Sequence, residues 1–159
     1  MINSKWDNRF MRLAREISTW SRDPSTKIGA VIVNDERRIL ATGYNGFPRG
    51  IADTEERLND REQKYPLIVH GEMNALLGAL YNGVSVKGAT LYVWGLPVCA
   101  ECTKNVIQSG IARVVITYPE HSPEKWQTQW NNLSKPMYQE AGVSLSYMNE
   151  LHWAFETHK

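Results

Sequence analysis

The sequence predicts an α/β domain in three layers (α/β/α), with helices on both faces of a five-stranded mixed sheet. Three observations carry this expectation. Buried-strand patterns alternate with helical periodicity along the second half of the chain, as in parallel strands joined by helices. A hairpin pattern near the N-terminus adds an antiparallel pair. The length, 159 residues, is that of one domain spanning 1–159, long enough to bury roughly two-thirds of its unfolded surface.

Ser4-x-x-Asp7 reads as a helix start of the capping-box kind. Phe10, Leu13, Ala14, Ile17 and Trp20 then recur at helical spacing and are expected to pack into the core. Asp23-Pro24-Ser25 ends the helix, because a residue before proline leaves the helical region. Gly29 to Val33 is a strand, Asn34-Asp35-Glu36 a turn, and Arg38 to Gly43 the returning strand. The Gly- and Pro-rich run from Gly43 to Gly50 is a loop. Thr54 to Lys64 carries charges of both signs and reads as a solvated segment. His70 and Glu72, at i and i+2, do not face each other on a regular helix and are placed on an irregular first turn. That turn leads into a helix that runs to about Tyr81, where Asn82-Gly83 stops it. Ala89 to Trp94 is a buried strand, followed by a helix ending at Ser109-Gly110, and Arg113 to Tyr118 is another strand. Ser122-Pro123 opens a helix as cap and first residue, with Trp126, Trp130, Leu133 and Met137 on one face and Gly142 at its end. Val143 to Tyr147 alternates like a strand with one covered face, and Asn149 to Thr157, with Trp153 and Phe155, reads as a last helix.

Composition narrows the function. The chain is 42% hydrophobic and 22% charged, ordinary for a soluble protein. A net charge of +1 argues against a long nucleic-acid groove, but suits one small anionic ligand. The two cysteines allow no disulfide framework, which fits a reducing cytoplasm. The N-terminus has no signal-peptide pattern, and no apolar run reaches membrane-spanning length.

Two segments concentrate the chemistry: His70-Gly71-Glu72, and Pro97-Val98-Cys99-Ala100-Glu101-Cys102. His70, Cys99 and Cys102 supply three zinc ligands, and a three-ligand site that keeps an open position is catalytic rather than structural. Glu72 remains as a carboxylate beside the metal, suited to proton transfer. The cysteines, at i and i+3, share one helical face and lie on a first turn, where free amides favour thiolates. Taken singly, each has a plainer explanation: a Cys-x-x-Cys can be a redox pair or two buried thiols, and a lone His is usually a core residue. Together they match the zinc-deaminase signature, His-x-Glu followed by Pro-Cys-x-x-Cys, except that Val98 stands between the proline and the first cysteine.

Most of the chain resembles the deoxycytidylate (dCMP) deaminases of the cytidine deaminase superfamily. The segments that carry the likeness are Trp6 to Phe10, Asp23-Pro24-Ser25 through Val33, Gly43-Tyr44-Asn45-Gly46-Phe47-Pro48-Arg49-Gly50, Asp60-Arg61 with Lys64-Tyr65, and His70 to Ala75, besides the cysteine motif. Two positions depart from the family pattern: Gly71, where Ala is usual, and Val98, where Pro directly precedes the first Cys. The resemblance implies a cytidine-deaminase-like fold and hydrolytic deamination of dCMP to dUMP and ammonia, which supplies the precursor of dTMP. It implies one Zn2+ per chain on His70, Cys99 and Cys102, with Glu72 as proton shuttle. It also implies that Asn45 holds the sugar and the Gly71 amide the ring carbonyl. For the phosphate, Lys27, Arg49, Arg22 and Lys104 are candidates, and Tyr118 could reach it from a strand end. Regulated members of the family bind dCTP and dTTP, with Mg2+ accompanying a nucleotide effector, and assemble as hexamers, so a homo-oligomer is expected. With no cysteine to spare, and only His121, His152 and His158 remaining, no second zinc is expected. The competing readings are a deaminase of another cytosine or adenine substrate (a 5-substituted dCMP, dCTP, or a base in tRNA or single-stranded DNA) and a redox Cys-x-x-Cys module, which would leave His70 and Glu72 without a role.

Overall fold

The computed structural model describes residues 4–149. Its sheet has five strands in the order β2-β1-β3-β4-β5: β1 is Gly29–Val33, β2 Ile39–Tyr44, β3 Thr90–Trp94, β4 Arg113–Thr117 and β5 Ser144–Met148. β1 runs antiparallel to both β2 and β3, while β3, β4 and β5 are parallel, so the expected mixed sheet is observed. The helix α5 (Ala100–Gln108) connects β3 to β4, as a parallel crossover requires.

Period-two alternation divides the strand side chains between two cores. Ala30, Ile32, Leu91, Val93, Val114 and Ile116 face one side, where α4 (Gly71–Tyr81), α5, Trp130 and Tyr138 cover them. Val31, Val33, Tyr92, Val115 and Met148 face the other, against Phe10, Met11 and Ala14 of α1 (Lys5–Ser18). Two glycines permit the close approach of helix to sheet. A Cβ on Gly29 would run into the Ala14 carbonyl of α1, and one on Gly43 into the Ala75 amide and Gly71 carbonyl of α4. Gly43 thereby seats the first turn of α4, where His70 and Glu72 lie, directly on β2.

The capping box at Ser4 and Asp7 forms as expected. α1 ends at Ser18, so Trp20 is not part of the core stripe; it is 54% exposed and meets the Tyr44 ring edge-on. The charged segment is not a solvated coil. It forms two short helices, α2 (Glu55–Asn59) and α3 (Arg61–Leu67), capped by Thr54 and Asp60, and Lys64 is buried. Downstream, a short 3-10 turn (Pro119–His121) precedes α6 (Glu124–Gln129), so Pro123 is the cap rather than the first helical residue. A π-helical turn, Trp130–Ser134, joins α6 to α7 (Lys135–Ala141). Its extra residue per turn shifts the apolar face: Trp130, Ser134 and Tyr138 are buried while Leu133 is 52% exposed. The last helix expected beyond Asn149 lies outside the described residues. Among the described residues no helix is long and apolar enough to cross a membrane.

Candidate metal centre and active-site cavity

The N-termini of α4 and α5 meet on one side of the sheet. His70 is the N-cap of α4, in extended conformation and with no side-chain capping bond, so its ring is released from the helix face. That explains how two residues at i and i+2 serve one site. Cys99 is the N-cap of α5, and its Sγ accepts the Cys102 amide at 3.4 Å. The His70 Nδ1 lies 3.4 Å from Cys99 Sγ and 3.3 Å from Cys102 Sγ. Ligand atoms of His70, Glu72, Cys99 and Cys102 all lie within 4.8 Å of one another. Tetrahedral zinc with one nitrogen and two sulfur ligands has N···S edges of about 3.5 Å, so this donor set and spacing fit the ion without rearrangement.

The electrostatics of the cluster favour a cation. A hydrogen bond from Cys102 lowers the Cys99 thiol, and His70 adds to the effect. Cys102 shifts the opposite way, because Cys99 and burial both oppose a second thiolate. The His70 imidazole is raised by its bond to Cys99. Glu72 is 4% exposed, and burial pushes its carboxyl above the usual range. Two thiols, a buried carboxyl and one imidazole thus converge on one point, a donor set suited to a divalent cation.

One cavity includes His70, Glu72 and Cys99 in its wall. Ile28, Ile68, Leu96, Pro97 and Trp126 make it partly apolar. The polar side is a network built on the loop after α1. Asp23 Oδ1 accepts the amides of Ser25 (2.9 Å) and Thr26 (3.3 Å) and the Lys64 ammonium (3.1 Å), and Lys64 also donates to Ser25 Oγ at 2.9 Å. Burial alone would raise Asp23, but the Ser25 amide and Lys64 outweigh it and hold it below the usual carboxylate range. Asn45 is buried. Its Oδ1 accepts the Ile28 amide at 2.8 Å, and its amide nitrogen donates to the Thr26 carbonyl at 2.8 Å and faces Asp23 Oδ2 at 3.5 Å. Asn45 lines the cavity while clamping the loop that forms its wall.

The structure separates the expected phosphate contacts from this cavity. Lys27 is exposed and donates to the Ser21 carbonyl. Arg49 lies over the Tyr81 ring, 4.4 Å from its centroid, in a different groove on the outer side of α4. Arg22 pairs with Asp53, and Lys104 with Glu101, all exposed. Tyr118 stacks on Tyr147 rather than facing the site. Gly71 is buried against Ile28, whose carbonyl a Cβ at 71 would approach to 3.0 Å, so the usual alanine would be tight here. The cations that do line the cavity are Arg61 and Lys64. They were hidden in a run of mixed charge, because the Asp23 partner that buries Lys64 lies 41 residues away. The cue present in the sequence was the likeness of Asp60-Arg61 and Lys64-Tyr65 to the deaminase pattern.

The family model for the cytidine and deoxycytidylate deaminase zinc-binding region matches residues 4–118. The chain belongs to this family. It is 35% identical over 148 residues to an uncharacterized deaminase of Aliivibrio fischeri, covering 91% of this chain and 95% of that one. The human deoxycytidylate deaminase is 40% identical over 118 residues, covering 70% of this chain and 64% of that one. The chain thus spans just under two-thirds of the human relative. A dCMP deaminase of cyanophage S-TIM5, solved in complex with dCMP and dUMP, shares the fold with a TM-score of 0.72 at 24% identity, over 93% of this chain and 100% of that chain. Zinc is therefore the metal that the family brings to the His, Glu and Cys cluster.

Proposed function

We propose that the chain is a zinc-dependent hydrolase that converts dCMP and water to dUMP and ammonia, with His70, Cys99 and Cys102 holding the metal. The observation that carries this reading is the convergence of His70, Glu72, Cys99 and Cys102 in the wall of a cavity that also carries Arg61 and Lys64. Zinc held there supplies a Lewis acid that makes water acidic enough to attack at neutral pH. Glu72 takes one proton of that water and delivers it to the ring nitrogen, then carries the second, from the hydroxyl formed at the ring carbon, to the amino group, which leaves as ammonia. Ile28, Ile68, Leu96 and Trp126 exclude water around the uncharged pyrimidine. Asn45 holds the loop that faces the sugar. The Gly71 amide reads the ring carbonyl. Arg61 and Lys64 bind the 5′-phosphate, a role that charge in a partly dry cavity supports. Regulation by dCTP and dTTP, an accompanying Mg2+, hexameric assembly and a cytoplasmic location go with this reading.

The test is ammonia release from cytosine, deoxycytidine, dCMP and dCTP in parallel, with and without the nucleotide effectors. Turnover of dCMP alone is expected. Arg61→Ala should raise KM for dCMP about tenfold with little change in kcat, since the lost contact is the same in ground and transition states. If no small substrate turns over while zinc is bound at one per chain, the cavity serves a polymer or a modified base, and tRNA and 5-substituted dCMP come next. Cys99→Ser should lose both metal and activity. An active, zinc-free variant would end the metal reading.

A further inference from the structure

The π-helical turn at Trp130–Ser134 is closed by the Lys135 amide donating to the Trp130 carbonyl, five residues back. On a regular α-helix, residues 129 and 134 would point about 140° apart. A π turn holds more residues, so positions five apart come close to alignment. Gln129 and Ser134 are those positions, and both reach the cysteine turn. Gln129 Oε1 accepts the Ala100 amide at 2.9 Å. Ser134 is fully buried, and its hydroxyl donates to the Val98 carbonyl at 2.8 Å.

The two bonded groups belong to the two peptide planes that flank Cys99. Pinning both planes fixes φ and ψ of Cys99, −67° and 162°, and hence the direction of its Cα–Cβ bond. A proline directly before the cysteine would stiffen this turn covalently, but here the residue is Val98. We propose that the π turn is a positioning device for the metal centre, aligning Gln129 and Ser134 so that they hold Cys99 with its sulfur toward His70. Neither residue touches metal or substrate; both act through Cys99. The inference rests on Cys99 being a zinc ligand. Groups that orient a ligand are commonly worth 10- to 100-fold in metal affinity.

The experiment measures zinc affinity by chelator competition and the visible spectrum of the cobalt-substituted protein, for Gln129→Leu, Ser134→Ala and the double variant. The melting temperature without metal serves as the folding control. About tenfold weaker zinc binding is expected in each single variant, with a shifted cobalt spectrum. Gln129→Glu, which keeps an acceptor oxygen, should restore the wild-type values. Deleting Asn132, which turns the π turn into a regular one while keeping both side chains, should weaken zinc binding like the double variant. Unchanged affinity and spectrum in both side-chain variants would overturn the proposal, whether or not the metal-free melting temperature falls. Cys99→Ser separates the two readings. If it binds zinc like the wild type, the ligand assignment itself is wrong. If it loses zinc while the Gln129 and Ser134 variants do not, only the clamp is wrong.

Discussion

Glu72→Gln is expected to lower kcat about 10²- to 10⁴-fold while leaving one zinc bound per chain. The amide has nearly the shape of the carboxylate, so the first turn of α4 should keep its packing. What it loses is the ability to take a proton from water and return it to nitrogen. No other carboxylate belongs to the cluster of His70, Cys99 and Cys102 among the described residues, so nothing nearby replaces it. The measurements are dCMP turnover and zinc stoichiometry on the same preparation. Wild-type turnover in this variant would remove Glu72 from the mechanism. Loss of zinc along with turnover would instead make Glu72 a ligand.

Arg113→Met should cost about 3–5 kcal/mol of folding stability at neutral pH, the usual penalty for removing one partner of a buried pair. Arg113 meets Asp7 in a two-pronged contact, 2.9 and 2.8 Å, and joins the first residue of β4 to the first turn of α1 across 106 residues of sequence. The Tyr92 hydroxyl donates to the same carboxylate at 2.7 Å. Asp7 is 3% exposed. Burial would raise its pKa, but Arg113 and Tyr92 outweigh that and hold it below the usual carboxylate range. The sign follows: a depressed pKa contributes stability above about pH 4, the unfolded value, and loses it as pH falls through the folded value. Without the guanidinium, burial dominates and Asp7 takes up a proton more readily in the folded chain. The deficit of the variant against the wild type should therefore shrink from pH 7 to pH 5, as read by urea unfolding. A deficit below about 1 kcal/mol, equal at both pH values, would make this contact no better than a surface pair.

Much of the site was legible because its chemistry sits in short motifs. His70-Gly71-Glu72 and Cys99 to Cys102 name their own donor atoms, and spacing alone assigns the cysteines to one helical turn. The strands were legible for a similar reason: β1 and β3 are short apolar runs between turn residues, and Gly142 ends its helix in the left-handed conformation that glycine favours. The Trp20, Lys64 and Leu133 assignments failed for a common cause. Each depended on what lies opposite in space, and helical spacing contains no information about a partner far along the chain. Lys64 looks solvated until Asp23 is brought beside it, and Leu133 looks buried until a π turn rotates it outward.

By itself, then, the sequence pointed to the family, the layered fold and the His, Glu and Cys residues that converge in the candidate metal centre, because their signals lie in local residue patterns. The tertiary structure decided which cations line the cavity, that Asn45 clamps its wall, and that Gln129 and Ser134 bond the two peptides flanking Cys99. Those features come from burial and from hydrogen bonds between distant segments, which exist only once the chain has packed.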